Sequence, residues 1–440
     1  MIAKGSKQSS GTVGSGSSDR TKRNPHVVIV GAGLSGLACA RQLTDAGIQF
    51  TLTEAGDVVG GRVRTDDYHG FQLDRGFQVF LESYPEARRV LDYSQLRLRR
   101  FYPGAIVRVE GGFHLCPDPF RSPEHLLSGL MCPIGSIRDK LRVLSLRREV
   151  LRRSVESLFE EPEATTMDYL RQRGFSERMI SRFFVPFYGG VFLDRGLQSS
   201  AKMFLFLFRM FATGYTAVPA AGMAAIPLQL ASKIPPARLR IATAAQEIVD
   251  GRIRLSNGEK LRADEVVIAT ERSEADSLTG TQADAGSRAV TCLYFAARQL
   301  PFKHGAVVLN GEDRGVIHNL AFMSQIAPEY GNGEEHLVSV TVLPPVPHRQ
   351  NELVQAVCDN LRDWFGDGAL RWRHLKTYHL SKAQPILPPG TLNHVHRTRE
   401  LGDGTIVCGD HRDTVSINGA LTSGRHAAEL VLKRLGRKVG

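Results

Sequence analysis

Short apolar runs separated by glycine turns organise the N-terminal part of the chain. The four apolar residues Val27–Val30 predict a buried strand, because a short continuous apolar run is typical of a strand covered on both faces. A glycine-containing turn follows, and Leu37–Leu43 predicts a helix. The stretch Ile48–Thr53 predicts a second strand. This order of strand, helix and strand predicts an α/β fold with a parallel sheet.

The same two kinds of element are predicted near the C-terminus. Thr405–Asp410 contains a short apolar strand that ends in a loop. A helix is predicted from Ser416 to about Leu435. The far end of the chain therefore carries a second strand-and-helix unit.

Between these ends, one segment carries an apolar stripe with helical spacing. Its apolar residues recur at three- and four-residue intervals, as Ile137, Leu141, Leu144, Leu151, Val155 and Leu158. Its basic residues are Arg138, Lys140, Arg142, Arg147, Arg148, Arg152 and Arg153. We expect a helix that packs the stripe on the core and exposes its basic side to solvent. The alternative is a helix that lies on a membrane surface.

Aromatic residues concentrate between Arg182 and Phe211, where their density far exceeds the chain average of 8%. The run is too short to cross a bilayer, which needs about 20 consecutive apolar residues. Arg209 and Pro219 also interrupt it. One interpretation is a set of helices packed in the core. The other is the wall of a long apolar tunnel, or a part of the surface that dips into a membrane.

Three glycines in the first turn give the first indication of chemistry. Gly31, Gly33 and Gly36 have the spacing of a dinucleotide-binding turn. The first permits the tight turn, the second lets a pyrophosphate approach the backbone, and the third lets the helix pack against the strand. The helix N-terminus then directs its free N–H groups at the phosphates. Glu54 follows the second strand, where a carboxylate accepts hydrogen bonds from ribose hydroxyls.

A second glycine motif, Gly60–Arg62, distinguishes between the possible dinucleotides. The glycine pair permits close approach of a ligand to the backbone, and an arginine at this place neutralises pyrophosphate charge. The alternative is a glycine-rich loop with solvated arginines. After the first motif and Glu54, this segment favours FAD over NAD.

These motifs resemble those of the flavin-containing amine oxidase superfamily, which includes protoporphyrinogen oxidases and carotenoid desaturases. The N-terminal match is Glu54–Arg62. Gly409–Asp410 and the segment Ser416–Arg425 resemble the family's C-terminal segment, which lies against the flavin end of FAD. Ile241–Ile248 and Ala263–Thr270 resemble the middle segment beside the adenine. The resemblance implies an FAD-dependent oxidoreductase.

The resemblance also implies the organisation of the chain. We expect an α/β fold in which a discontinuous, Rossmann-like FAD-binding domain carries an inserted α+β substrate domain with a mixed sheet and a helical part. The short strands Thr291–Ala296, Ala306–Leu309 and His336–Leu343 are expected in that mixed sheet. The expected boundaries are a disordered arm over 1–24, an FAD-binding domain over 25–85, 212–290 and 396–437, and a substrate-binding domain over 86–211 and 291–395.

The motifs and the resemblance together predict the cofactor-binding residues. These are Gly31, Ala32, Gly33, Leu34, Ser35, Gly36, Glu54, Ala55, Gly61, Arg62, Arg64, Gly76, Ala245, Gly409, Asp410, Asn418, Gly419 and Ala420. No catalytic residue and no metal site is assigned. Further polar candidates near the flavin are His411, Arg412, Asp413 and His318. The segment Pro219–Met223 resembles a turn of the family in which Ala221 replaces the first glycine.

Two differences from the amine oxidases bear on the substrate. Those enzymes place a lysine where this chain has Thr291, and a tyrosine where it has Ser416. Both differences argue against amine oxidation. We therefore expect removal of hydride from a large apolar, isoprenoid- or carotenoid-type substrate to flavin N5. Porphyrinogen or amine oxidation, and a flavin-dependent isomerisation without net redox change, are the alternatives.

Composition narrows the partners and the compartment. The net charge of +11 indicates solvated arginine faces, an anionic membrane surface or an anionic substrate. No recognition motif for nucleic acid accompanies it. Six scattered cysteines without a CxxC pair predict neither a zinc site nor a disulfide framework. We expect no secretory signal in the first 24 residues, and a cytoplasmic protein with a peripheral contact on the inner face of a membrane.

Overall fold

Two large β-sheets organise the protein, for which a computed structural model describes residues 25–122, 129, 131–249, 251–281, 286–347, 349–393, 399–401 and 404–437. The predicted arm over 1–24 lies outside the described residues. The strands are, in chain order, β1 (His26–Val30), β2 (Gln49–Thr53), β3 (Thr65–Tyr68), β4 (Phe71–Asp74), β5 (Phe80–Leu81), β6 (Leu98–Arg100), β7 (Gly104–Val109), β8 (Gly112–Pro117), β9 (Thr216–Pro219), β10 (Leu239–Arg240), β11 (Ala245–Val249), β12 (Arg252–Leu255), β13 (Lys260–Arg262), β14 (Glu265–Ile268), β15 (Ser287–Ala297), β16 (Val307–Asn310), β17 (Asn319–Phe322), β18 (His336–Val342), β19 (Arg373–Pro385), β20 (Arg399–Glu400) and β21 (Ile406–Val407).

Helices cover both large sheets. The α-helices are, in chain order, α1 (Leu34–Asp45), α2 (Pro85–Val90), α3 (Tyr93–Leu96), α4 (Ile137–Arg152), α5 (Thr166–Gln172), α6 (Glu177–Met179), α7 (Val185–Phe192), α8 (Ala201–Thr213), α9 (Ala225–Ala231), α10 (Arg272–Thr279), α11 (Met323–Ile326), α12 (Gln350–Phe365) and α13 (Ile417–Arg434). A π-helical turn over Ile180–Phe184 joins α6 to α7.

The first predicted strand lies inside a six-stranded sheet. β1 pairs in parallel with β2 on one side and with β14 on the other, and β21 pairs in parallel with β14. The full order is β10–β2–β1–β14–β21–β20. Parts of the chain more than 350 residues apart in sequence therefore build one sheet. Helices α1 and α13 pack against each other, and a Cβ on Gly424 would lie 2.1 Å from the carbonyl oxygen of Ser35.

A seven-stranded sheet forms the second half of the protein, in the order β19–β15–β18–β17–β16–β7–β8. It is antiparallel except between β16 and β7, which run parallel. The three short strands expected between residues 291 and 343 are all present in it. Helix α12 covers one face, where Leu353, Val357 and Leu361 pack into the same cluster as Val338 and Val340. An α/β fold with a mixed sheet is confirmed, whereas the predicted domain boundaries stay predictions.

The aromatic segment forms the opposite cover of this sheet. It folds into the π-helical turn, α7 and α8. Some of its aromatic side chains pack in the core and others line an apolar cavity, so each of these two interpretations holds for part of the segment. Phe184, Phe204 and Phe206 are almost fully buried in the core. Phe183 and Phe187 point instead into a large cavity between these helices and the sheet.

Helix α4 corrects one expectation. The first part of the stripe predicted to pack on the core faces solvent, because Ile137 is 69% exposed and Leu141 is 57% exposed, whereas Leu158 at its other end is fully buried, as predicted. The inward face carries Leu146, Val150 and the fully buried Asp139. Asp139 is the physical reason for this orientation.

The Asp139 carboxylate fixes the start of the helix to a neighbouring loop. It accepts a hydrogen bond from the backbone N–H of Ser136 at 2.8 Å, which completes a capping box with the Ser136 side chain. It also accepts from the N–H and the hydroxyl of Ser176, at 2.9 and 2.8 Å. These bonds hold the pKa of Asp139 down to about 2, although desolvation by burial opposes them. Hydrogen bonding therefore decides which apolar side of α4 turns inward.

A disulfide corrects a second expectation. Cys116, in β8, is bonded to Cys132, with 5.9 Å between the two Cα atoms. The spacing of 16 residues gives no sign of this pair, since it depends on how the chain returns to the end of β8 before α4 begins. The other four cysteines are free. Within the described residues, no helix is long and apolar enough to cross a membrane.

Candidate active site

The turn from β1 to α1 has the geometry of a phosphate cradle. Gly31 adopts φ +100°, which other residues rarely adopt. A Cβ on Gly36 would lie 1.9 Å from the carbonyl oxygen of Gly31, so the helix needs glycine there to pack. A Cβ on Gly33 would meet nothing within 4 Å. No side chain caps the first turn of α1, which leaves its N–H groups and positive dipole end to a ligand.

Glu54 lies directly after β2, beside this turn. Its Oε2 accepts a hydrogen bond from the N–H of Ala32 at 2.8 Å, and its Oε1 accepts one from the N–H of Gly56 at 2.8 Å. Each carboxylate oxygen keeps a further lone pair. The carboxylate is therefore fixed at the edge of the cradle as an acceptor, as a ribose hydroxyl requires.

Arg62 connects the N-terminal and C-terminal segments. The preceding Gly60 pairs with Gly33 and donates its N–H to the carbonyl of Ala32 at 2.9 Å. Arg62 Nη2 donates to Asp410 Oδ1 at 2.7 Å, and Nη1 donates to the carbonyl of Ala383 at 3.1 Å. The two motifs that lie furthest apart in the sequence are thus in direct contact.

The C-terminal segment closes the cradle from the other side. Gly409 follows β21 and donates its N–H to Ser423 Oγ at 3.0 Å. Ser416 caps α13 by accepting a hydrogen bond from the N–H of Gly419 at 3.0 Å. Inside α13, Asn418 Oδ1 accepts from the N–H of Glu86 at 2.9 Å. These contacts fix the N-terminal half of α13 against the loop after β21 and against α2.

A cavity of about 1550 Å³ connects the cradle to the seven-stranded sheet. This volume exceeds the roughly 300–1,000 Å³ of one small-molecule site, so it accommodates a dinucleotide and a second ligand. The predicted residues that line it are Gly31, Gly33, Leu34, Ser35, Glu54, Ala55, Gly61, Arg62, Gly76, Ala245, Gly409, Asp410 and Ala420. The predicted residues that do not line it are Ala32, Gly36, Arg64, Asn418 and Gly419.

Every strand of the seven-stranded sheet contributes to the roof of this cavity. The roof residues include Leu380, Val290, Thr341, Asn319, Val307, Leu309, Ala105 and Cys116. Aromatic and aliphatic side chains of α7, α8 and the π-helical turn form the floor, among them Phe183, Phe187, Tyr188, Leu207, Phe208 and Phe211. The space beyond the cradle is therefore mainly apolar.

Of the two positions that differ from the amine oxidases, one is buried and the other caps a helix at the cavity. Thr291 is 4% exposed, and its Oγ1 lies 3.1 Å from Nδ1 of His379. Ser416 is used as the cap of α13. Neither position brings an amine or an aromatic ring to the cavity.

The histidine candidates are buried away from the cavity lining. Burial lowers the pKa of His318 to about 3, and burial also lowers the pKa of His411 to about 4. Both are therefore neutral at physiological pH. Their place near the flavin stays a prediction, as does that of Arg64, which is paired with Asp57 at 3.0 Å.

Sequence reasoning missed a buried carboxylate beside the cavity. Asp74, at the end of β4, accepts hydrogen bonds from Thr65 Oγ1 at 2.5 Å, from the N–H of Met223 at 3.0 Å and from the hydroxyl of Tyr330 at 2.8 Å. Burial raises its pKa to about 6, although these hydrogen bonds oppose that shift. These hydrogen bonds hold the turn after β9 in place. The sequence does not reveal the network, because an aspartate at the end of a strand is common and most of its partners lie far away in the chain.

The comparison with known families decides the class of the protein. A family model described as flavin containing amine oxidoreductase matches residues 34–432. The chain belongs to this family. It is an FAD-dependent oxidoreductase, as the three motif segments predict.

Individual relatives of this oxidoreductase match over short stretches. It is 27% identical over 167 residues to protoporphyrinogen oxidase 2, chloroplastic/mitochondrial, of Arabidopsis thaliana, a match that covers 37% of this chain and 32% of that protein. It is 39% identical over 75 residues to the chloroplastic/chromoplastic 15-cis-phytoene desaturase of Narcissus pseudonarcissus, covering 17% and 13%. The matches span a third or less of these relatives.

Similarity of structure covers much more of the chain than similarity of sequence does. Cyclohexylamine oxidase from Brevibacterium oxydans IH-35A superimposes with a TM-score of 0.68 at 18% identity, and the match covers 94% of this chain and all of that one. This likeness shows the fold alone.

The residues of the cradle fit FAD. The open space at Gly33, the uncapped N-terminus of α1 and the arginine at position 62 suit a pyrophosphate, and the fixed Glu54 carboxylate suits a ribose. Bound FAD supplies hydride acceptance at N5 of its ring. The chain's own residues supply binding, orientation and a water-poor apolar space beside it.

Proposed function

We propose that this FAD-dependent oxidoreductase removes hydride from a carbon of a large apolar substrate, with isoprenoid- or carotenoid-type desaturation as the leading candidate. One observation carries the proposal. The apolar space between the sheet and α7–α8 is continuous with the dinucleotide cradle. An extended apolar molecule bound there lies against the flavin end of the cofactor.

The proposed chemistry matches what the described residues offer. Hydride transfer to a flavin needs orientation and exclusion of water more than it needs an acid–base pair. Phe183, Phe187 and Phe208 provide rigid apolar surface that binds a substrate while excluding water. Among the described residues, no group of three or more His, Cys, Asp or Glu is placed to hold a metal ion.

Porphyrinogen oxidation is the nearest alternative, since a porphyrinogen is also large and mostly apolar. Amine oxidation is disfavoured because Thr291 and Ser416 stand where the amine oxidases have a lysine and a tyrosine. Thr291 is buried and Ser416 caps a helix, so neither replaces those groups. An isomerase that uses the flavin without net redox change is the third possibility. All three alternatives use the same cradle and differ in what the apolar space binds.

We further propose that substrate arrives from a membrane surface. Ile137, Leu141 and Leu144 form an exposed apolar stripe on α4, and Leu144 also lines the cavity. An exposed apolar stripe next to a cavity is typical of an interaction site. Arg138 and Arg148 on the same helix suit anionic headgroups. A cytoplasmic protein bound peripherally to the inner face of a membrane fits these features.

Anaerobic mixing with substrates tests the proposed function. The FAD-loaded protein is mixed without oxygen with a polyene, a porphyrinogen or a simple primary amine, and the visible absorption band of oxidised flavin is followed. We expect the polyene to bleach the band. Bleaching by the porphyrinogen alone selects the first alternative, and bleaching by the amine alone overturns the proposal. An isomerase converts its substrate with no net bleaching.

A further inference from the structure

The cavity runs across the whole width of the seven-stranded sheet. At one edge, β19 touches the cofactor cradle, where the Ala383 carbonyl accepts a hydrogen bond from Arg62 and Leu380 packs over Gly76. At the other edge, the cavity is lined by Cys116 and Pro117 of β8. The two edges are six strand spacings of about 4.8 Å apart, or roughly 29 Å. The far edge is thus well separated from the phosphate cradle.

Arg121 and Arg147 line the cavity at this far edge, and so do Lys140 and Arg148 of α4. Arg121 is anchored there, because its Nη1 donates to the carbonyl of Phe211 at 2.9 Å and its guanidinium carbon lies 4.8 Å from the centroid of the Tyr215 ring. Arg147 comes from α4, one turn after Val143, which also lines the cavity. Its guanidinium carbon lies 4.1 Å from the centroid of the Phe120 ring. Aromatic contacts thus hold both cations in place.

The charge of this pair is incompletely neutralised. Asp118 lies 3.5 Å from Arg121 Nη1. Desolvation by burial, together with the nearby Arg121 charge, lowers the pKa of Arg147, although the Asp118 carboxylate opposes this shift. Within the described part of the chain, no carboxylate lies within ion-pair distance of Arg147. Among the described residues, one carboxylate, that of Asp118, therefore faces both guanidiniums, and a further anion would stabilise them.

We propose that Arg121 and Arg147 form an anion-binding subsite for the head group of the substrate. The substrate class is then an elongated or planar apolar molecule that carries a carboxylate or phosphate at the end remote from the flavin. This inference rests on the proposed function, because it assumes that the apolar part of the same molecule fills the space between the sheet and the aromatic floor.

The position of Arg147 distinguishes this subsite from the outward stripe of α4. Arg147 follows Val143 on the side of the helix that faces the cavity, whereas Ile137 and Leu141 lie on the exposed side. A guanidinium binds a carboxylate or a phosphate through two parallel N–H donors. A lipid headgroup carries the same chemistry, so the experiment must separate a lipid from a substrate.

Binding of two chain-matched probes to the FAD-loaded protein tests the subsite. The probes are laurate and dodecanol, used below their aggregation limits, and affinity is measured by calorimetry. We expect laurate to bind at least about tenfold more tightly, since a charged hydrogen-bonded pair contributes that much. In Arg147→Gln and in Arg121→Gln, the two probes should bind equally. Arg138→Gln, an exposed arginine of the same helix that is absent from the cavity lining, should keep the laurate preference.

Each other outcome overturns the inference in a distinct way. Equal binding of both probes by the unmodified protein removes the anion subsite and leaves the proposed function intact. Failure of both probes to bind contradicts the apolar cavity, and with it the proposed function. A third arm uses phosphatidylglycerol vesicles. If Arg147→Gln weakens vesicle binding while the laurate preference persists, the anion is a lipid headgroup and the substrate assignment is wrong.

Discussion

The carboxylate of Glu54 accepts a hydrogen bond from the backbone N–H of Ala32 at 2.8 Å. This bond ties the end of β2 to the glycine turn that follows β1. A single side chain therefore shapes the phosphate-binding turn and presents an acceptor at its edge. Glu54 should therefore contribute to cofactor binding in two ways, by shaping the turn that binds the phosphates and by accepting a hydrogen bond from the ribose.

Glu54→Ala should weaken FAD binding by about ten- to a hundredfold, because a charged hydrogen-bond acceptor contributes on the order of 1.5–3 kcal/mol. Glu54→Gln should be milder, since its amide keeps one acceptor oxygen. Titration of the FAD-free protein with FAD, followed by flavin fluorescence, measures both. Asp57→Ala, at an exposed acid three residues further on, is the control. An unchanged affinity in Glu54→Ala would refute the predicted role.

Substitutions of two nearby glycines, Gly33 and Gly36, should have different effects. Gly33→Val places its side chain in open space and should fold, but it should lose FAD because the side chain occupies the approach of the pyrophosphate. Gly36→Val should destabilise the protein itself, since even its Cβ would overlap the carbonyl oxygen of Gly31. Circular dichroism and flavin content separate the two effects. Normal flavin content in a folded Gly33→Val protein would contradict this assignment of the cradle.

FAD should be bound tightly but without a covalent bond. The cysteine nearest the C-terminal motif, Cys408, is fully buried, and burial raises the pKa of its thiol to about 12. A protonated thiol is a poor nucleophile for attachment to a flavin. Acid precipitation should therefore release the yellow colour into the supernatant. Colour retained in the washed pellet would show a covalent link.

Asp74 should make the folded protein less stable as the pH rises from about 4 to about 6. Its pKa is raised from 3.8 to about 6 in the folded state, so the folded protein retains this proton while the unfolded chain loses it. The stability contributed by protonated Asp74 is complete below pH 4 and is lost as the pH passes 6. The loss is on the order of 3 kcal/mol.

Urea unfolding between pH 4 and pH 7 measures this effect. Asp74→Asn stays neutral throughout, so its free energy of unfolding should vary less with pH than that of the unmodified protein. Asp67→Asn, at an exposed carboxylate in the same hairpin, is the matched control. Identical pH profiles for Asp74→Asn and the unmodified protein would exclude Asp74 as the titrating group.

The exposed stripe of α4 should carry membrane binding. Leu141→Gln should lower co-sedimentation with phosphatidylglycerol vesicles by about tenfold, because it removes the burial of one leucine side chain. Leu228→Gln removes an equally exposed leucine, at 56% against 57%, from α9, where it should have no effect. Raising the salt concentration should weaken binding of the unmodified protein by screening its arginines. Equal losses in the two variants would argue against a defined docking face.

The local part of the cofactor site could be predicted from the sequence. The spacing of Gly31, Gly33 and Gly36, the strand before them and the acid at position 54 are fixed by backbone geometry over a few residues. The same holds for the strand that precedes Gly409. Each of these features depends on neighbours in the chain, and the structure places most of the predicted residues around one cavity.

Features that depend on distant partners could not be predicted. The orientation of α4 follows from bonds between Asp139 and Ser176, and an apolar stripe alone does not show which side of a helix finds such partners. The Cys116–Cys132 bond likewise depends on where the segment before α4 meets the end of β8. The Asp74 network joins residues more than 250 positions apart.

The sequence by itself determined the cofactor class and the order of the elements, because glycine turns and apolar runs act within a few residues of one another. Only the tertiary structure decided the shape of the substrate space and what surrounds it. The long cavity exists because β8 and β19, from opposite parts of the chain, form the two edges of one sheet. The placement of Arg121 near Arg147 at the far edge of this cavity also depends on tertiary structure. The two side chains belong to separate segments, which come together only when the sheet packs against its helices.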